Sequence, residues 1–134
     1  MKAHPYLRAY MAGIVVPTVF LLAIVAGFTI ARSVYHLPFS VERVIIFPMA
    51  VVPNLWGVWN MLHLALGRDR WSIALHGAAL PLVLMPLGLM LARVFAIDVI
   101  TPALLMTFAP VALAAYYLAW KYLVGYFNGV LGIA

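Results

Sequence analysis

Four long apolar runs make up most of the chain, and the breaks between them carry its charge. The runs cover about 11–31, 43–66, 72–97 and 99–120. A helix crosses the hydrocarbon of a bilayer with about 20 predominantly apolar residues, so each run predicts a membrane-spanning helix. The first run is longer than the apolar core of a secretory signal, so it is expected to stay as a span. The expected fold is all-α: a polytopic membrane protein with four transmembrane helices in an up-down bundle, forming one domain over 1–134. Several spans should be kinked, because prolines 17, 48, 53, 81, 86, 102 and 110 fall inside them and proline within a helix removes a hydrogen bond. Asn54, directly after Pro53, is a candidate to satisfy the carbonyl that this proline frees. The tail, 121–134, is too short to span again and is expected to lie in the interface or to extend span 4.

Residues 1–10 read as a short basic arm. Gly67-Arg68-Asp69-Arg70 reads as a tight hairpin between spans 2 and 3. An internal echo accompanies this layout. Gly13-x-x-x-Pro17 opens span 1, Gly77-x-x-x-Pro81 opens span 3, and spans 2 and 4 carry two prolines each. That pattern suits a duplicated helical hairpin of the parallel-repeat kind.

Composition narrows the function. Hydrophobic residues are 68% of the chain and charged residues 8%, against about half and a quarter in ordinary globular domains. Lipid, not water, is the expected solvent. The acidic residues Glu42, Asp69 and Asp98 all lie between spans, which argues against proton or cation coupling through a carboxylate inside the membrane. The chain has no cysteine, so disulfides, thiolate metal sites and cysteine nucleophiles are excluded. The net charge of +5 sits at span ends and reports topology, with no nucleic-acid partner implied. Lys2, Arg8, Arg68, Arg70 and Lys121 fall on one side, Arg32, Arg43 and Arg93 on the other. Positive residues concentrate on the cytoplasmic side, so both termini are expected in the cytoplasm of a cell bounded by this inner membrane. No nucleophile elbow, catalytic triad, phosphate loop or dinucleotide fingerprint is present, which argues against an enzyme.

Candidate chemistry concentrates in Pro53–His63, inside span 2. At about 100° per residue, Trp56, Trp59, Asn60 and His63 share one sector with Met49 and Pro53, and Asn54 points the other way. Polar groups within a span are costly and mark functional sites by default. Trp56, Trp59, Asn60 and His63 are therefore candidate ligand or permeation residues. The competing account is a packed helix interface with Asn60 bonding across it.

His76 joins this set. It lies as far after the centre of the hairpin as His63 lies before it, so the two should sit at equal depth, about 10 Å in from the turn. No cofactor is required by the residue pattern. The one it admits is haem b or a metal between these imidazoles. A third candidate is the opposite rim, where Arg32, His36 and Arg43 flank a loop and suit an anionic lipid headgroup.

These features leave three functional classes: a non-enzymatic subunit of an oligomer or larger membrane complex with a small ligand or permeation site, a haem-binding redox subunit, and a lipid-headgroup-binding or lipid-modifying protein.

Overall fold

The computed structural model describes residues 3–38, 41–67 and 69–133. They form helices α1 (Pro5–Tyr35), α2 (Val41–Leu66), α3 (Ile73–Val94), α4 (Pro102–Ala119) and α5 (Gly125–Val130), with a π-helical turn at Trp120–Val124 joining the last two. No strand occurs among the described residues. The fold is an all-α, up-down four-helix bundle, with prolines inside each of its four long helices. Three segments, Pro5–Tyr35, Ile73–Val94 and Pro102–Val130, are long and apolar enough to cross a membrane. Helix α2, at 26 residues, has the length as well.

The helices depart from the expected spans at several ends, most at the two ends of the chain. Most of the expected basic arm is helical, because Pro5 sits in the first helical position, where its missing N–H is not needed. Of the two courses expected for the tail, it takes the second and extends span 4, to Val130. A four-residue step overshoots one α-helical turn by about 40°, and the wider π turn absorbs that overshoot. Trp120, Val124 and Asn128 therefore stay on one buried line.

Side-chain caps set the remaining ends. Ser72 accepts from Leu75 N at 3.3 Å and Thr101 from Leu104 N at 3.2 Å, each satisfying an otherwise orphaned donor of a helix N-terminus. Gly67, at φ 84°, ends α2 in the left-handed region that glycine enters at little cost.

Two hairpins form the bundle: α1 packs along α2, and α3 along α4. Helices in lipid gain little from apolar burial against one another, so close backbone approach at small residues matters most. A side chain on Gly13 would sit 2.6 Å from Trp56 O and 2.8 Å from Gly57 Cα, so α1 and α2 meet there backbone to backbone. A side chain on Gly77 would occupy the space filled by the Trp120 ring. Asn54 does not bond the carbonyl of Met49, the one that Pro53 frees. Its Nδ2 donates to Ala50 O at 2.6 Å, and its Oδ1 accepts from the Tyr10 hydroxyl, which ties α2 to α1 as well as bracing the bend. The core is built around Trp56, Leu80, Trp120 and Val124, with a second cluster of Ala9, Ala12 and Ile133 beside the chain ends.

Candidate functional site

All four buried polar side chains among the described residues lie toward the chain ends and the α2–α3 hairpin: Asn60, His63, His76 and Asn128. Asn60 is 1% exposed and holds the centre. Its Nδ2 donates to Ala9 O at 2.7 Å and to Asn128 Oδ1 at 2.7 Å, and Asn128 Nδ2 returns a bond to Asn60 Oδ1 at 3.1 Å. One amide thus ties α2 to α1 and α5 together. Arg8 adds a link between the chain ends, donating from Nη1 to Leu131 O at 2.7 Å, where a helix C-terminus favours a cation.

Beside this pair lies a cavity of about 270 Å³, lined by Ala9, Asn60, His63, Leu64, Ile73, Gly125, Asn128 and Ile133. Hydrogen-bond capacity remains for an occupant. An amide offers two donors and a carbonyl with two lone pairs. Both Asn60 donors are used, but among the described residues one Nδ2 hydrogen of Asn128 and one lone pair on each Oδ1 are unspent. His63 adds an imidazole, and among the described lining residues none has an acidic side chain.

The expected sector of α2 divides along its length. Asn60 and His63 line the cavity. Trp59 bridges to α3, donating from Nε1 to His76 O at 2.8 Å. Trp56 lies a turn further along, against Tyr116 at 4.9 Å and Trp120 at 5.5 Å between ring centroids, where it serves packing. The face points into the bundle.

His63 and His76 do meet, with ring centroids 4.6 Å apart and planes at 65°, and Trp71 stands 6.0 Å from His76. A haem held by two imidazoles lies between them, with one on each face of the porphyrin. Rings in edge contact leave no gap for that plane, so the pair as arranged does not fit haem b. Among the described residues, no group of three His, Asp or Glu side chains is placed to hold a metal ion.

At the opposite end of the bundle, Arg32 and His36 are exposed at the end of α1, with His36 in the left-handed region at φ 51°. Arg43 belongs to the first turn of α2, and its side chain lies outside the described residues. A larger concavity of about 700 Å³ runs between α1 and α4. Among the described lining residues, only Trp56 and Tyr116 have a polar atom in the side chain, so its character matches lipid tails.

Asn128 is the residue that the sequence pattern did not single out. The signal was present: Trp120, Val124 and Asn128 are spaced i, i+4, i+8, the period of one helix face, but with the course of the tail left open between the interface and an extension of span 4, that spacing was not followed past Trp120.

Comparison of the chain with protein-family models, curated proteins and solved structures finds no match.

Proposed function

We propose that this small membrane protein is a non-enzymatic subunit that holds a small, uncharged polar solute in the cavity beside the Asn60–Asn128 pair, and that it works as an oligomer or within a larger membrane complex. One observation carries the reading. Among the described residues, three of the four buried polar side chains, Asn60, His63 and Asn128, line one cavity, and that cavity keeps donors and acceptors to spare. Binding sites combine mostly apolar walls with a few convergent polar groups, and these walls fit that description. The described lining offers amides and an imidazole and no acidic side chain, which favours an uncharged occupant over a cation. The excess of Lys and Arg at the end that bears both termini supports an orientation in the inner membrane with this end toward the cytoplasm.

The test is thermal unfolding of the purified protein across a panel of small amides and polyols at millimolar concentration, with acetamide, formamide, ethylene glycol and glycerol among them. A ligand that binds only the folded state raises its unfolding temperature. At least one member is expected to raise it by a few degrees, and Asn128→Leu should abolish that shift. A panel that leaves the unfolding temperature unchanged throughout contradicts the reading.

A further inference from the structure

We propose that the chain is a tandem pair of equivalent 64-residue helical hairpins, facing each other across a pseudo-two-fold axis along the membrane normal, and that the polar cavity lies on this axis. The observations are of three independent kinds.

The first is spacing. Gly13, Pro17, Pro38 and Trp56 recur as Gly77, Pro81, Pro102 and Trp120, each 64 residues later and without a gap. The second helix of each hairpin stops at the same point of this register, at Leu66 and at Val130.

The second is role. In each hairpin the glycine of the first helix makes room for the tryptophan-bearing turn of the second: Gly13 against the Trp56 backbone, Gly77 against the Trp120 ring. In each, the proline four residues on removes the N–H that would have bonded that glycine's carbonyl. Both glycines, both prolines and both tryptophans are buried.

The third is reciprocity in space. A two-fold axis turns a contact between residue x of one half and y of the other into a contact between their equivalents. Trp56 and Trp120 are each other's equivalents and touch at 5.5 Å, as a pair on the axis must. The contact of Trp56 with Tyr116 requires one between Trp120 and Val52, and Val52 packs against the cluster that contains Trp120. The contact of His63 with His76 requires one between Phe127 and Ala12, and Phe127 packs against the cluster that contains Ala12. Repeats built from an even number of spans have the same orientation in the membrane, which makes the axis a membrane normal.

The cavity follows from this geometry. Its lining includes two equivalent pairs, Ala9 with Ile73 and Leu64 with Asn128, so it is shared by both hairpins. The polar groups stand where the halves have diverged: Asn60 opposite Val124, His63 opposite Phe127, Asn128 opposite Leu64. The repeat stands without any ligand; that an occupant touches both hairpins at once rests on the function proposed above.

The experiment moves the amide pair to its equivalent positions in the full chain. Positions 64 and 124 are the equivalents of 128 and 60. In an N60V/N128L background, Val124→Asn buries an amide without a partner and should lower the unfolding temperature by several degrees. Adding Leu64→Asn supplies the partner and should recover at least half of that loss. No recovery overturns the repeat. If the relocated variants do not fold, cysteine pairs decide, since the chain has none of its own. His63→Cys with His76→Cys, and Ala12→Cys with Phe127→Cys, are equivalent pairs and should cross-link in the membrane to within about two-fold of each other. Cross-linking of the first pair alone overturns the proposal. Neither readout involves a ligand, so the outcome is independent of whether the cavity binds one.

Discussion

Asn60 ties three helices of the bundle together. Its bonds reach Ala9 and Asn128, which join helices that are far apart in sequence. A buried amide that loses its partner bears the desolvation cost of the unpaired group, about 1–3 kcal/mol. Removing both partners together avoids much of that cost. Hydrogen bonds inside membrane proteins average about 0.6 kcal/mol in double-mutant cycles, with a maximum near 1.7. For this pair, Asn60→Val and Asn128→Leu should each destabilise the protein, and the double variant should lose less than the sum by roughly 0.6–1.7 kcal/mol, measured by reversible unfolding in detergent. Strict additivity would show that the two amides do not interact. At this scale the sequence was half legible. The periodicity of span 2 placed Asn60 and His63 on one face, and loop symmetry placed His76 at the depth of His63. Asn128 was hidden because three glycines in 125–132 made the tail read as irregular, although a π turn carries it on in register. Asn54 was assigned to the right bend but to the wrong carbonyl, since side-chain reach is not a property that spacing shows.

The helices themselves were readable from their apolar runs, because about 20 apolar residues between charges leave few alternatives in lipid. The glycine and proline echo suggested the two hairpins, but the points at which their helices meet were not readable, since apolar runs do not mark them. Pairing depends instead on where small residues allow backbones to meet. Gly77→Ala puts a methyl group into the Trp120 ring, and overpacking of this kind costs about 1–3 kcal/mol. Gly27 and Gly88 have nothing within 4 Å of where a methyl group would stand. Alanine there should be neutral or should stabilise by up to about 1 kcal/mol, through the backbone entropy that glycine loses. Unfolding temperatures of the three variants check this, and equal losses at all three positions would contradict the packing scheme.

Over the whole molecule, polarity is distributed unevenly. Beyond the core, α1 and α4 present apolar side chains outward: Phe20, Ile30 and Met106 are 64%, 65% and 74% exposed, as suits helices in contact with lipid. Among the described residues, the buried polar groups lie at the end with both chain termini, where α1, α2, α3 and α5 converge. The cavity is therefore expected to communicate with water on that side of the membrane and not with the lipid. Accessibility of an introduced thiol measures this directly. Gly125 lines the cavity, and a side chain there meets only Trp120 O at an ordinary 3.5 Å, so Gly125→Cys fits the fold. In membrane vesicles, this thiol should react with a small, charged, water-soluble thiosulfonate reagent, and a cysteine at Ala115, in the apolar concavity, should not. A Gly125→Cys thiol as inert as the one at Ala115 would show a cavity sealed from water and would contradict its role as a binding site for a polar solute.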